Sequence, residues 1–417
     1  MSTAVIDVEP QARAARAAAA ALHHAPDEAR RAALDAIAAQ IRAAAPAVLA
    51  ANAEDLAALR ERPAAFRDRL TLTADRVEGL ARALADIAAL PDPVGTVVDR
   101  RTRPNGMEVR RVRVPIGVVA MIYESRPNVT VDAAGLCLRA GNAVILRGGA
   151  ESRRSDEALG RAITAGLRTA GLPPAAVTLL ARRDYDAIRD LVRLDGLVDL
   201  VIPRGGPDLI RLVTEHARVP VLKHDRGVTH VFVDRDADAG MAVRIILDAK
   251  TNRPSTCNAL EKALVDAPAA ATVIPPLVRA LRAAGVEVRG DAETRRWAPG
   301  ADPATDGDWD AEYLDLVLAI RVVDGLDAAV EHIRRHGTGL ADAIVTRDRA
   351  RAERFVREVD SAAVLVNAST RLVDGGEFGL GAEVGISTSR VHARGPMGVE
   401  DLTTTKWIVW GSGQTRG

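Results

Sequence analysis

Residues 250–258, with the sequence KTNRPSTCN, combine a thiol with a basic neighbour in a polar loop. Cys257 follows Pro254 and lies just before a stretch, beginning near Asn258, whose pattern favours a helix. The dipole at a helix N-terminus stabilises a thiolate, and the charge of Arg253 adds to that effect. The segment is therefore typical of an activated cysteine nucleophile. On spacing alone, a buried cysteine acting as a small hydrophobe explains Cys257 equally well.

The other cysteine, Cys137, lies in an apolar helical stretch between two predicted strands, where we expect a packed and inert thiol. Two thiols in 417 residues do not make a disulfide framework, and their spacing is not that of a metal site. His332 and His336 have i,i+4 spacing, but Gly337 follows directly. We interpret these histidines as the last turn of a helix, and we predict no metal site.

A thiol that forms a thioester needs donors for an oxyanion. Asn128 follows a predicted strand and precedes a predicted helix, which places its amide at the carboxyl edge of a sheet. The backbone N–H of Cys257 is a second candidate donor. An asparagine in this position is also an ordinary turn or helix-capping residue.

Two Arg-Gly-Gly loops follow predicted strands: Arg147-Gly148-Gly149 and Arg204-Gly205-Gly206. Glycines at a strand–helix turn let the backbone approach a phosphate, and the helix N-terminus favours the anion. The loops thus suggest nucleotide binding. The pattern is weak, since many Gly-Gly pairs are simple turns and the sequence has neither a G-x-G-x-x-G nor a Walker motif.

The secondary-structure elements predicted around these residues indicate an α/β protein. Helical spacing covers about residues 11–90, and Pro91-Asp92-Pro93 ends it. Residues 96–114 read as a hairpin with its turn at Pro104-Asn105-Gly106, suited to a sheet edge or an oligomer contact. Buried strands and intervening helices then alternate, which indicates a doubly wound parallel sheet. The strands are 118–122, 143–146, 177–180 and 197–202, and the helices are 131–140, 155–170 and 185–194.

A second β/α region begins near residue 236. Residues 291–310 are rich in Pro, Gly and Asp and predict a variable surface loop. The chain ends in an extended stretch near residues 406–411. The other elements predicted here are a helix at 241–250 and strands at 263–265, 316–323, 343–345 and 363–366.

Charge and composition exclude some partners. Lys+Arg and Asp+Glu are both 56, so the formal net charge is zero and gives no reason to expect nucleic acid or an anionic membrane. We find no apolar run of the roughly 20 residues that a membrane-spanning helix needs. The first 50 residues lack the apolar block of a secretory signal, so we expect a cytoplasmic location.

Four long stretches together resemble the γ-glutamyl phosphate reductase family of the aldehyde dehydrogenase superfamily. They are residues 114–149, 249–258, 366–388 and 392–407, and the similarity extends over about residues 10–411. The resemblance implies two doubly wound α/β domains and a small β oligomerisation flap. It assigns residues 1–95 and 114–235 to a nucleotide-binding domain, 236–399 to a catalytic domain, and 96–113 with 400–417 to the oligomerisation hairpin and strand.

The resemblance also implies an activity, the NADPH-dependent reduction of L-glutamate 5-phosphate to glutamate 5-semialdehyde and phosphate in proline biosynthesis. By position, the thiolate of Cys257 attacks the acyl phosphate, and Asn128 occupies the position of the oxyanion amide. The loop at Arg147 matches the nucleotide-ribose loop, and Glu312 resembles the carboxylate that binds the nicotinamide ribose. The preference for NADPH comes from the resemblance, with Arg147 or a neighbour available for the 2′-phosphate.

One absence bears on the chemistry. Hydrolytic aldehyde dehydrogenases carry a water-activating glutamate in a Glu-Leu-Gly-Gly-Lys run, and residues 221–227 here contain no glutamate. That loss suits a reductase that must keep water from its thioester, although Asp225 is a conceivable substitute base. Thr229 and Leu340 also depart from the family's commoner cysteine and histidine.

Substrate contacts and assembly remain expectations. Arg126, Arg253 and Arg371 are candidates for holding the phosphate or α-carboxylate of the substrate, since arginine suits bidentate anion contacts; structural salt bridges are the alternative. The hairpin and the C-terminal strand match oligomerisation elements and imply a homodimer or homotetramer. A hydrolytic or CoA-acylating dehydrogenase, and a catalytically idle paralogue, are the competing readings.

Overall fold

The protein, seen in a computed structural model, has the predicted α/β architecture. The structure describes residues 8–59, 62, 64–223 and 226–416. The chain divides into two compact units. Unit 1 comprises Met1–Lys223, Gly379–Gly385 and Met397–Gly417, and unit 2 comprises His224–Phe378 and Ile386–Pro396.

Helices occupy most of the N-terminal quarter and alternate with strands thereafter. The described α-helices are α1 (Val8–His24), α2 (Asp27–Ala43), α3 (Ala45–Ala58), α4 (Ala64–Leu70), α5 (Ala74–Ala89), α6 (Pro127–Arg139), α7 (Arg153–Thr169), α8 (Tyr185–Leu191), α9 (Pro207–His216), α10 (Ala239–Thr251), α11 (Ala270–Ala283), α12 (Ala292–Trp297), α13 (Asp306–Asp310), α14 (Gly325–His336) and α15 (Arg349–Glu358). No single helix among the described residues is long and apolar enough to cross a bilayer; one pair, α2 with α3, meets those requirements only jointly and is bent by 66°.

The strands form two parallel sheets and two smaller antiparallel ones. They are β1 (Val97–Thr102), β2 (Glu108–Pro115), β3 (Val118–Tyr123), β4 (Ala143–Arg147), β5 (Val177–Leu179), β6 (Leu200–Arg204), β7 (His230–Val233), β8 (Lys262–Asp266), β9 (Glu287–Gly290), β10 (Asp302–Pro303), β11 (Val317–Val323), β12 (Ala341–Val345), β13 (Ala363–Val366), β14 (Ile386–Ser387), β15 (Gly395–Pro396) and β16 (Thr403–Trp410).

Unit 1 contains a four-stranded parallel sheet in the order β5-β4-β3-β6. Every residue of β3 and β4 is buried, as expected for Val, Ile and Ala runs covered on both faces. The carboxyl ends of β3, β4 and β6 lie side by side at one edge of the sheet. Both Arg-Gly-Gly loops and the segment before α6 therefore leave the same edge, where ligands of open α/β sheets bind.

A separate three-stranded antiparallel sheet, in the order β1-β2-β16, also belongs to unit 1. The predicted hairpin is confirmed: Arg103 N–H donates to Met107 O at 2.8 Å, and Gly106 has φ +85°. β16 pairs along β2 from Thr403 to Trp410.

Unit 2 contains a seven-stranded parallel sheet in the order β10-β9-β11-β8-β7-β12-β13. β7 is a central strand that pairs with β8 and β12, so residues 226–235 fold with the second unit and not with the nucleotide-binding part as the sequence suggests. Residues 379–385 and 397–399 are assigned to the catalytic domain by the sequence resemblance, but in the structure they pack in unit 1. There the backbone of Gly381 contacts Leu90 and Val384 N–H donates to Met397 O.

Two local predictions are wrong. No helix begins near Asn258; the chain turns and then enters β8, because Ala263, Leu264 and Val265 are buried between β7 and β11. Residues 291–310 are not a plain loop but contain α12, β10 and α13. Asp291 caps α12, and Thr305 with Asp308 forms a capping box on α13, so short polar runs begin helices here.

Helices α2 and α7 pack closely at Gly166. A Cβ atom there would lie 2.6 Å from the Cα of Ile37, which is backbone and cannot rotate away. Gly160, on the same helix, differs, because its Cβ would meet the Leu179 side chain at an ordinary 3.4 Å.

We predict opposite effects of alanine at these two glycines. Gly166→Ala forces α2 and α7 apart and should lower the free energy of unfolding by about 1–3 kcal/mol. Gly160→Ala, the matched control, gains helix propensity and should raise it by up to about 1 kcal/mol. Urea denaturation followed by circular dichroism measures both. Equal effects of the two substitutions would contradict the packing described.

Candidate active site

Cys257 lies in a turn between α10, which ends at Thr251, and β8, which begins at Lys262. It is partly exposed and not in a disulfide. The prediction that Cys257 precedes a helix is therefore wrong. Because a strand follows it, a helix dipole cannot be the reason for stabilising its thiolate. Gly227 and Cys257 precede β7 and β8, so the thiol belongs to the amino edge of the second sheet.

Backbone and side-chain hydrogen bonds hold the cysteine loop. Arg253 adopts a left-handed conformation, with φ +62°, and its carbonyl accepts from Thr256 N–H at 3.2 Å. Asn258 Nδ2 donates to Val373 O at 2.9 Å. A non-glycine residue in the left-handed region costs about 1–3 kcal/mol and persists only where its surroundings fix it. The loop is thus held in a defined shape next to the thiol.

Gly227 lies directly behind Cys257. A Cβ atom on Gly227 would come within 2.1 Å of the Cys257 carbonyl oxygen, so the position admits only glycine without movement of the loop. The N–H of Gly227 donates to Glu312 Oε1 at 2.8 Å. Burial raises the pKa of Glu312, while this hydrogen bond and the charge of Arg226 favour its carboxylate. One glycine therefore links the predicted nucleophile to the predicted ribose-binding carboxylate.

Arg371 is a second cation beside the thiol. Its Nη1 donates to Asn258 Oδ1, and its Nε is buried with no hydrogen-bond partner among the described residues. Burial lowers the pKa of Arg371, and the nearby charges of Asp374, Arg253 and Cys257 also act on it. The structure therefore brings Arg253, Arg371 and Cys257 together, with a guanidinium donor available to an anion.

A buried ionic cluster braces the segment that carries Glu312. Lys262 Nζ donates to Ala311 O at 2.7 Å, and Leu314 N–H donates to Glu261 Oε1 at 3.2 Å. Lys250 Nζ lies 3.3 Å from Glu261 Oε2. Burial lowers the pKa of Lys262 to about 8. The sequence analysis did not predict this ionic cluster. The sequence feature that points to it is a charged pair, Glu261-Lys262, at the start of an apolar strand.

Asn128 lies in the first turn of α6, after Arg126 and Pro127, and not before the helix as predicted. Its side chain is exposed, and Nδ2 donates to Asp132 Oδ2 at 3.0 Å. Burial raises the pKa of Asp132 to about 6. The hydrogen bond from the Asn128 amide acts in the opposite direction, because it favours the carboxylate. The amide is therefore oriented by a carboxylate one turn along the helix.

The loop after β4 is closed by packing. A Cβ atom on Gly148 would lie 2.3 Å from Asp156 Oδ2, and one on Gly149 would lie 2.8 Å from Ser125 N. Arg147 is buried, and its Nη2 donates to the carbonyl of Arg183. Arg183 and Asp156, which sequence reasoning did not single out, form an ion pair beside it at 2.6 Å.

The loop after β6 already holds an anion from the chain itself. Gly206, the N-cap of α9, donates its N–H to Glu124 Oε2 at 2.8 Å, and a Cβ on Gly205 would meet that same carboxyl group. The Arg204 guanidinium packs against Gly385. The assignment of Arg204, Gly205 and Gly206 to the cofactor stays a prediction.

Asp225 lies outside the described residues. Thr229 donates its hydroxyl to Ala259 O at 2.7 Å, and Leu340 belongs to a small apolar cluster against which Cys257 packs. Burial raises the pKa of the Cys137 thiol, as expected for an inert cysteine. The described residues contain no cluster of His, Cys, Asp or Glu suited to a metal ion.

Comparison with known proteins gives consistent matches. The model of the aldehyde dehydrogenase family matches residues 2–303. The γ-glutamyl phosphate reductases of Xanthomonas axonopodis pv. citri and Moorella thermoacetica are each 54% identical over 341 residues, 82% of both chains. The crystal structure of γ-glutamyl phosphate reductase from Thermotoga maritima superposes with a TM-score of 0.96 at 43% identity, covering 99% of this chain and 100% of that one. An acetylating aldehyde dehydrogenase from Geobacillus thermoglucosidasius shares the fold, with a TM-score of 0.72 at 17% identity over 98% and 97% of the two chains.

The contrast between the two thiols predicts selective alkylation. Under native conditions iodoacetamide should modify Cys257 at least about 100-fold faster than the buried Cys137. Peptide mass spectrometry over a time course measures both rates, and unfolding in guanidinium should remove the difference. Equal native rates would contradict the exposure described for Cys257.

Proposed function

The chain belongs to the aldehyde dehydrogenase family and, within it, to the γ-glutamyl phosphate reductases, and on that premise we propose that it reduces L-glutamate 5-phosphate with NADPH. The products are L-glutamate 5-semialdehyde and phosphate, a step of proline biosynthesis. The observation that carries the proposal is the partly exposed Cys257 beside the buried, incompletely bonded guanidinium of Arg371. A nucleophile next to an anion-binding cation suits an acyl phosphate.

Cys257 performs the first step. Its thiolate forms a bond to the acyl carbon while the bond from that carbon to the phosphate oxygen breaks, which leaves a thioester on the enzyme and inorganic phosphate. Arg371 and Arg253 neutralise the phosphate as it departs. Support for this role comes from Arg371, whose pKa responds to the nearby charges of both Arg253 and Cys257.

The carbonyl oxygen gains charge in this step, and we assign its stabilisation to the amide of Asn128. The hydrogen bond to Asp132 uses one of the two N–H groups of the Asn128 amide, which leaves the other as a donor. After reduction, Cys257 leaves as the thiolate and the aldehyde is released.

The residues present fit a nicotinamide dinucleotide. In unit 1, Arg147 Nε and Arg183 Nη2 are buried donors with no partner among the described residues. In unit 2, Glu312 carries the carboxylate that the family resemblance assigns to the ribose hydroxyls. The reduced nicotinamide, when bound, supplies the hydride to the acyl carbon. We also propose that the cofactor is NADPH and not NADH, on the basis of these two arginines and of the family.

Assembly and location complete the proposal. Trp407, Val409 and Trp410 on β16 are exposed by 56%, 55% and 63%, an apolar edge that burial in a homodimer or homotetramer would cover. Neither Cys137 nor Cys257 is in a disulfide, which is the state that a reducing compartment maintains, and we therefore propose a cytoplasmic location.

Phosphate dependence of the reverse reaction tests the function. NADP+ reduction by glutamate 5-semialdehyde should require inorganic phosphate, because residues 221–227 contain no glutamate to activate water at the thioester. Cys257→Ser should lower kcat by at least about 1,000-fold, whereas Cys137→Ser, the matched control, should leave it within about twofold. Turnover without phosphate would indicate a hydrolytic dehydrogenase instead.

A further inference from the structure

Glu312 lies in a segment of unit 2 that has no regular secondary structure. The segment joins α13, which ends at Asp310, to β11, which begins at Val317. Leu314, two residues after Glu312, has φ +54°, a left-handed conformation that a non-glycine residue keeps only where its surroundings fix it. The position of the Glu312 carboxylate therefore depends on contacts from outside the segment.

Two consecutive residues, Glu261 and Lys262, supply those contacts at the point where β8 begins. Lys262 Nζ donates to Ala311 O at 2.7 Å, and Glu261 Oε1 accepts from Leu314 N–H at 3.2 Å. These hydrogen bonds hold the backbone immediately before Glu312 and two residues after it. Lys262 is itself fixed, because β8 pairs with β7 on one side and with β11 on the other.

Tyr313, the residue after Glu312, belongs to the same arrangement. Its ring centroid lies 4.2 Å from Lys262 Nζ, which suits a cation–π contact. Its hydroxyl donates to Asp308 Oδ1 at 2.6 Å, and Arg289 Nη1 donates to the same oxygen at 2.7 Å. Lys262 thus contacts the residues on both sides of Glu312.

Lys262 is also a buried positive charge that acts on the Glu312 carboxylate. Its side chain is fully buried, and its hydrogen bonds among the described residues go to two carbonyl oxygens. Burial raises the pKa of Glu312, whereas the hydrogen bond from Gly227 and the charges of Arg226 and Lys262 lower it. Because Arg226 is exposed, solvent screens its charge, and the charge of Lys262 is screened much less. Lys262 is therefore the buried cation that favours the ionised form of Glu312.

Stability alone is a poor explanation for these buried charges. Lys250, Glu261 and Lys262 are all 0% exposed, although they border an apolar strand. Taking charges out of water is unfavourable, and apolar residues of similar volume often replace such a cluster without loss of stability. The contacts with the Glu312 segment are what an apolar replacement would remove. The cluster is therefore better explained by the positioning of Glu312.

We propose that Lys262 is a positioning residue for cofactor binding, which acts through Glu312 by fixing the place and the negative charge of its carboxylate. The inference rests on the proposed function, which supplies the dinucleotide and assigns Glu312 to its ribose hydroxyls. Because Lys262 is fully buried, it acts on the cofactor only through Glu312. An ionised carboxylate held in one place accepts hydrogen bonds from hydroxyl groups more strongly than a neutral or displaced one.

A double-mutant cycle on NADP+ affinity tests this role. Calorimetry would measure the Kd of NADP+ for the wild type, Lys262→Met, Glu312→Ala and the double variant. Lys262→Met should raise the Kd about tenfold when Glu312 is present and less than about twofold when Glu312 is replaced by alanine, because a residue that acts through another loses its effect with it. A merely structural role of Lys262 predicts the same loss of affinity in both backgrounds.

Two further variants and a kinetic measurement sharpen the test. Lys262→Gln keeps a donor for Ala311 O but removes the charge, so it should raise the Kd less than Lys262→Met, and it supplies the same cycle should the methionine variant unfold. Lys406→Met removes an exposed lysine of β16 and should keep the wild-type Kd. In the reverse reaction, Lys262→Met should raise KM for NADP+ and leave KM for glutamate 5-semialdehyde within about twofold.

Equal losses of affinity with and without Glu312 overturn the inference, and so does a wild-type Kd in Glu312→Ala or in both Lys262 variants. A loss in Lys406→Met as large as that in Lys262→Met assigns the effect to net charge and also overturns it. If the wild type binds NADP+ and its reverse reaction depends on phosphate, the inference fails in these cases while the proposed function stands. A wild type that does not bind NADP+ contradicts the proposed function and the inference with it.

Discussion

Gly227 and Cys257 lie back to back in unit 2, close enough that a side chain on the glycine would enter the carbonyl group of the cysteine. The same glycine donates its N–H to Glu312, so the positions of the thiol and of the carboxylate are tied through a single peptide. Gly227 lies just before β7 and Cys257 lies in the loop before β8, so two separate segments of the chain meet at this contact. The left-handed backbone of Arg253 and the hydrogen bond from Asn258 to Val373 hold the cysteine loop in place.

Buried charges position the functional segments of both units. In unit 2, Lys250, Glu261 and Lys262 are fully buried and hold the backbone on either side of Glu312. In unit 1, Asp156 and Arg183 hold the loop after β4. Replacing a buried ion pair by apolar residues is often neutral for stability, so such pairs are weak evidence of stabilisation. Here each pair fixes a loop that carries candidate binding residues, and that positioning is what an apolar replacement would lose.

Sequence patterns predicted the parts of the fold that depend on local chemistry. Runs of Val and Ile located β3 and β4 in the first sheet and β8, β11 and β12 in the second, but not the central strand β7. The run Pro104-Asn105-Gly106 located the hairpin turn. The helix expected after Cys257 was wrong, because residues 258–260 are too few to register a period and the following apolar run pairs as β8. The boundary near residue 236 was misplaced since pairing of β7 with β12 joins residues more than 100 positions apart. Arg183, Asp156 and Lys262 were missed for the same reason: their significance comes from burial and neighbours supplied by distant segments.

In the proposed reaction the acyl group passes through Cys257, and this covalent adduct can be trapped. The enzyme would be mixed with glutamate 5-semialdehyde and NADP+ without phosphate, quenched in acid within the first turnover, and digested for mass spectrometry of the peptide that contains Cys257. The account predicts a glutamyl thioester on Cys257 that disappears when phosphate is added before the quench. The opposite result would be an enzyme that forms NADPH when phosphate is present but shows unmodified Cys257 at every quench time when phosphate is absent. That result would contradict passage of the acyl group through Cys257.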